Sequence, residues 1–213
     1  ELLKKYINEI GLNQDIINAI AINLFNSKNF AELSKHVDLY IEEFDNHLLN
    51  YLKGSCLNNI NEMTKSEFFL KKSININNSF WPSYEMLFYA YESRSKLIEM
   101  NSLLNESKKI FADNLRLLYF EALYNFRTNN YKVSNEILKN KKVENFFKKQ
   151  NKSLLAEFLN LKSKVSEKVS DYKSCLQFAL ERNVTLINLE INKKFNKREV
   201  LDTINTYTNF FNI

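Results

Sequence analysis

Two histidines, His36 and His47, are the side chains best suited to hold a metal or move a proton near neutral pH. Glu43 stands four positions before His47 in Val37-Asp38-Leu39-Tyr40-Ile41-Glu42-Glu43-Phe44-Asp45-Asn46-His47. On one unbroken helix, His36, Glu43 and His47 would share a face, a geometry that suits a transition metal. Asp45-Asn46 falls where the chain's periodicity predicts a joint, and no second Glu-x-x-His element completes a di-metal pair. The segment is read as a solvated acidic face. Cys56 and Cys175 have no spacing motif, so neither a disulfide framework nor a zinc site is expected. No Ser/His/Asp or Cys/His set supplies a nucleophile, and no carboxylate pair suits acid–base work. Gly11 and Gly54 are far apart, which excludes a glycine loop cradling phosphate. No catalytic residue, metal or cofactor is expected in this segment.

Basic residues are a second candidate. Lys139, Lys141, Lys142, Lys148, Lys149 and Lys152 surround Phe146-Phe147. Amines interleaved with aromatics can follow a nucleic-acid backbone with stacking support. The reading preferred here is a lysine-rich loop that the two phenylalanines dock to a core, with nucleic acid an unlikely partner. Lys193, Lys194, Lys197 and Arg198 form a further basic run, at a helix joint or facing another domain. Residues 1–138 carry 15 Lys/Arg against 17 Asp/Glu, and residues 139–213 carry 15 against 8. The net charge of +5 is therefore concentrated in the last third.

Composition dictates what positions these groups. The 213 residues include two Gly and one Pro, where average usage is about 7% and 5%. Tight hairpins need residues at positive φ, so sandwiches and barrels are excluded. An all-α chain remains. No run of 18 apolar residues suggests a membrane span. Glu1-Leu2-Leu3-Lys4-Lys5-Tyr6-Ile7 does not read as a signal peptide. A reducing, cytoplasmic setting is expected. The missing initiator Met and the abrupt end at Ile213 suggest a segment of a longer protein.

Apolar residues recur at helical spacing in Ile16, Ile17, Ile20, Leu24; in Tyr84, Leu87, Phe88, Tyr91; in Leu118, Ala122, Leu123, Phe126; and in Leu155, Phe158, Leu159. A short polar break follows each stripe, and then a second helical stripe. The breaks read Lys28-Asn29-Phe30, Ser95-Lys96-Leu97, Asn129-Asn130-Tyr131 and Ser170-Asp171-Tyr172. The anchors Phe30, Leu97, Tyr131 and Tyr172 are spaced by 67, 34 and 41. These are about two periods of 34, one of 34, and one of 34 with seven residues added near 141–152. A missing anchor is predicted at Met63.

This pattern resembles the tetratricopeptide repeat, whose period is about 34 residues. The resemblance implies an all-α, right-handed α-solenoid of about five helix hairpins with terminal capping helices. The repeats are placed at about 13–46, 47–80, 81–114, 115–155 and 156–189. Residues 1–12 are expected to cap the front, and 190–213 to form a capping or connector helix with Val200, Ile204, Tyr207 and Phe211 on one face. Small residues are expected where paired helices touch. Those positions hold Ala21, Gly54, Phe88, Ala122 and Ser163 in the first helices, and Leu33, Ser66, Met100, Ser134 and Cys175 in the second. Phe88 breaks the rule, and the closing proline is absent throughout.

The resemblance also implies a protein-interaction scaffold with a concave face for a protein or peptide. Carried over residue by residue, that face holds Asn18, Ile22, Tyr51, Ser55, Glu85, Tyr89, Arg116, Tyr119, Leu123, Arg127, Asn160 and Lys164. Tyr and Arg dominate binding hot spots. Residues 176–211 resemble the connector between such repeats and a sulfotransferase domain in bacterial fusion proteins. That implies an accessory module packed on a C-terminal catalytic domain of the same chain. Arg182-Asn183 departs from the Gly-Asn expected there, and the cofactor loop has no counterpart in residues 1–213. The alternative is a free-standing adaptor, with a homodimer compatible with either.

Overall fold

The computed structural model describes residues 13–187. Among them the chain forms eleven helices and no strand: α1 (Gln14–Asn26), α2 (Phe30–Tyr40), α3 (His47–Asn59), α4 (Met63–Ile76), α5 (Trp81–Ser93), α6 (Leu97–Ile110), α7 (Leu115–Arg127), α8 (Tyr131–Leu138), α9 (Lys141–Lys148), α10 (Lys152–Lys168) and α11 (Tyr172–Ile187). They fall into two compact units, Glu1–Ala112 with α1–α6 and Asp113–Ile213 with α7–α11. The caps expected at 1–12 and 190–213 lie outside the described residues, as do Lys193, Lys194, Lys197 and Arg198.

Each hairpin turns on one residue in the left-handed region. These are Lys28 (φ 58°), Asn61 (62°), Ser95 (54°), Asn129 (62°) and Ser170 (62°). Each stands two positions before an anchor, Met63 included. The turn closes in the same way every time. Lys28 N donates to Phe25 O at 3.0 Å and Asn29 N to Leu24 O at 3.0 Å. The Asn61/Glu62, Ser95/Lys96, Asn129/Asn130 and Ser170/Asp171 amides repeat the pattern. This is the Schellman closure, which satisfies the last carbonyls of the first helix and normally uses glycine. Here four of the five turns are built from Asn or Ser. Asparagine also starts helices: the side chains of Asn13, Asn29, Asn46, Asn114, Asn140 and Asn151 accept amide hydrogens of the turns they precede. Pro82 sits in the first turn of α5, where no amide partner is lost.

The two helices of each hairpin meet at the residue pairs twelve apart. Ser66 Oγ donates to Gly54 O at 2.8 Å, and Ser134 Oγ to Ala122 O at 2.8 Å. In the last hairpin the direction reverses, and Ser163 Oγ donates to Cys175 O at 3.0 Å. Short side chains let the backbones come close enough for these bonds. At Gly54 an added Cβ would stand 2.7 Å from Leu70 Cγ. Phe88 and Met100 fill the third seam instead, both fully buried. The Phe111 ring covers Trp81 and Tyr84 at 5.3 and 5.1 Å, sealing the end of that hairpin.

In the first unit, Ile17, Ala21, Leu33, Val37, Leu49, Leu52 and Cys56 form a continuous core. Burial pushes the Cys56 thiol up to about 11, so it acts as a small apolar group. In the second unit the seven added residues become a helix of their own, α9. Val143 and Phe147 anchor it, with the Phe147 ring stacked on Phe158 at 4.5 Å. The division expected between 155 and 156 falls inside α10, which starts at Lys152 because Asn151 caps it there.

These turns and seams make opposite mutational demands. Gly54→Ala should destabilise the chain by about 1–3 kcal/mol, because Leu70 and the Ser66 carbonyl leave no room. Ser95→Gly should stabilise it by about 0.5–1 kcal/mol by removing left-handed strain. Urea melts of the two variants check both signs.

Candidate functional site

The first helices of the first unit, α1, α3 and α5, lie side by side. Asn18 projects from α1 and accepts a hydrogen bond from Asn46 Nδ2 at 3.3 Å. Asn46 is held by its own cap, with Oδ1 accepting from Leu48 N and Leu49 N. Tyr51 on α3 is half-buried between the rings of Phe25 and Phe80, at 6.1 and 5.4 Å. Burial raises its phenol pKa, the Ser55 hydroxyl opposes this, and the charge of Glu85 on α5 adds to it. Tyr51 and Glu85 are thus electrostatic neighbours across two repeats. Tyr89, one turn beyond Glu85, is also half-buried, and Ile22 is exposed. Ser55 is buried, its hydroxyl donated back to Tyr51 O. Of the residues expected to bind in this unit, Asn18, Tyr51, Glu85 and Tyr89 are half-buried and Ile22 is exposed, while Ser55 is inside.

In the second unit the structure corrects the expectation. Arg116 and Tyr119 are only 4% and 3% exposed, and Leu123 is buried. Arg116 pairs with Glu157 at 3.1 Å, and Tyr119 donates its hydroxyl to the other Glu157 oxygen at 3.0 Å. The guanidinium lies 4.8, 5.2 and 5.3 Å from the ring centres of Tyr119, Phe120 and Phe147. A guanidinium this deep is tolerated because a carboxylate and aromatic faces surround it. Phe147 belongs to α9, so the added helix helps close this position. Asn160 is committed too, accepting from Arg182 at 2.7 Å. Arg127 and Lys164 remain exposed.

The histidines do not converge. His36 Nε2 bonds to Ile17 O at 3.0 Å, while the His47 ring packs on Phe80 at 4.7 Å. The chain breaks between α2 and α3, and no His/Cys/Asp/Glu group able to hold a metal occurs among the described residues. Of the lysine cluster, Lys139, Lys141, Lys142, Lys148, Lys149 and Lys152 are all exposed. Phe147 is fully buried, and Phe146 is half-buried edge-on to it at 5.1 Å.

One charged cluster was not anticipated. Glu67 on α4 receives Lys71 at 2.9 Å, Arg94 at 3.1 Å, Lys96 at 2.9 Å and the Tyr91 hydroxyl at 3.2 Å. Burial would raise its pKa, but the hydrogen bonds and charges of Lys71 and Lys96 outweigh that and bring it down to about 2. Beside it, a cleft of about 270 Å³ is lined by Lys71 and Asn75 of α4, Leu87 of α5, and Glu99, Leu103 and Glu106 of α6. Only the Glu67–Lys71 spacing of four marks this cluster in the sequence. Arg94 and Lys96 flank the left-handed Ser95, so the hairpin turn delivers them.

No family model matches the chain, and no curated protein matches it by sequence. Solved structures that match its fold include two helical proteins. The MamA RS-1 ArsTM double mutant aligns with TM-score 0.61 and 10% identity, over 80% of this chain and 93% of that one. PilW, described as a widely conserved type IV pilus biogenesis factor, aligns with TM-score 0.52 and 11% identity, over 86% and 99%. Both are helical-repeat proteins of the tetratricopeptide type. The fold is TPR-like. It belongs to the all-α solenoid class, and the described TPR-like hairpins include no helix long and apolar enough to cross a membrane.

Two outcomes follow. Arg116→Met should cost about 2 kcal/mol of stability, since it strips the partner from a partly screened Glu157. Glu67 has a folded pKa below its unfolded value near 4.5, so its contribution is complete above that value and is lost as pH falls toward about 2. Glu67→Gln should flatten that acid limb in melts recorded from pH 5 to 2.

Proposed function

We propose that this chain is a protein-interaction scaffold that binds an extended polypeptide on the α1, α3 and α5 face of its first unit. The observation that carries this reading is the half-buried Tyr51 beside Glu85, with Asn18 and Tyr89 on the same face. A half-buried tyrosine is a rigid anchor that loses little entropy on binding. Asn18 and Glu85 add hydrogen-bonding groups that an extended backbone can use. The scaffold needs no catalytic residue of its own.

A finer reading makes this scaffold the accessory N-terminal module of a larger, sulfotransferase-like enzyme. Its support is the resemblance of residues 176–211 to the fusion-protein connector, of which α11 carries the first part. The alternative is a free-standing adaptor. The native reading frame separates the two: a strand, a phosphate loop and a helix after Ile213 support the accessory module, and a stop codon leaves the adaptor.

Peptides selected from a random display library should bind the full chain. The double variant Glu85→Gln, Tyr89→Ala should weaken them by about tenfold or more while circular dichroism melts show it folded at the assay temperature. Tyr119→Ala should lower the melting temperature instead. Undiminished binding by the double variant would overturn the first-unit face.

A further inference from the structure

The fourth anchor spacing is 41 where the others follow 34, and the added length is spent on α9. A floppy surface loop would need no inward anchors. This helix has two: Val143 and Phe147 are fully buried, and Phe147 lies flat on Phe158. The outward side is rich in lysine. Lys141 and Lys142 stand at one end and Lys148 and Lys149 at the other, about 10 Å away along the axis. Lys139 and Lys152 flank them. Only one carboxylate, Glu144, lies within residues 139–152, and it is shared between Lys148 at 3.0 Å and the buried Lys162 at 3.7 Å. Lys141, Lys142 and Lys149 form no ion pair among the described residues. Folding therefore gathers these amines on a rigid mount and leaves Lys141, Lys142 and Lys149 without a carboxylate of their own.

We infer that the lysine face of α9 and its flanks docks an acidic, extended segment of a partner polypeptide. Carboxylates three or four residues apart on an extended chain, at about 3.3 Å per residue, reach both lysine pairs. Lysine supplies compact charge without the planar fork that fixes arginine on phosphates or guanine edges. Nucleic acid is disfavoured because Phe147 is inside the core and Phe146 is packed on its edge, so neither ring is open for stacking on a base. A membrane is disfavoured because the apolar side of α9 is already consumed by the core. This surface is independent of the α1, α3 and α5 face.

The test is fluorescence anisotropy of the full chain with a labelled oligo-glutamate of about 12 residues, at about 50 and 200 mM salt, beside an oligo-dT of about 20 nucleotides. Binding of oligo-glutamate should weaken with salt and exceed that of oligo-dT. It should fall about tenfold in Lys141→Gln, Lys142→Gln, Lys149→Gln, which spares the Lys148–Glu144 pair. Lys28→Gln, Lys65→Gln, Lys109→Gln, with the same net charge change in the first unit, should bind as the parent does. Circular dichroism melts confirm that both triple variants fold, and Lys141→Gln, Lys142→Gln alone gives the same reading if the triple does not. Tighter binding of oligo-dT, equal losses in both lysine sets, or no binding at low salt would each overturn the inference.

Discussion

Everything described here depends on five backbone turns that reverse the chain at one left-handed residue each. A helix hairpin of this size has an apolar face on both helices, and neither face is buried unless the second helix returns at the right angle and register. The Schellman closure sets both, since it ties two amides of the turn back onto the first helix before the second begins. The residue at the turn must then accept positive φ. Asparagine does so at Asn61 and Asn129, while Lys28, Ser95 and Ser170 accept it under strain. The same geometry brings Arg94 and Lys96 to Glu67, so a conformational requirement also builds a charged cluster.

The seams show a second level of the same constraint. Once the turn fixes register, residues twelve apart must face each other, and each hairpin resolves that contact separately. Gly54 and Ala122 offer carbonyls to serines, Ser163 reaches the other way, and Phe88 with Met100 replaces close approach by bulk. The seams vary in chemistry while the turns barely vary in geometry.

Much of this was legible in the sequence. The turn anchors, including Met63 where no aromatic marks it, follow from spacing alone. The seam positions follow from the repeat register, and the serine bonds are the chemistry of short side chains at those positions. The side-by-side placement of α1, α3 and α5 was legible for the same reason. Arg116, Tyr119 and Leu123 were misread as groove residues because register assigns a direction and not a depth. Their burial depends on Glu157 and on Phe147 of α9, a helix that interrupts the periodicity used to read them. Asn160 was misread likewise, since its partner Arg182 sits in the following helix.

The uneven seams have a consequence for how the chain finds its pairing. An array of identical hairpins lets any second helix close on any first helix, and misassembly is the characteristic failure of repeat proteins. Here a swap is penalised. Met100 set against Gly54 would meet a gap sized for a serine, and Ser66 set against Phe88 would lose its acceptor and face a ring. Each helix thus carries a key for its own neighbour, and the irregularity that blurs the repeat in sequence sharpens the choice among competing topologies during folding.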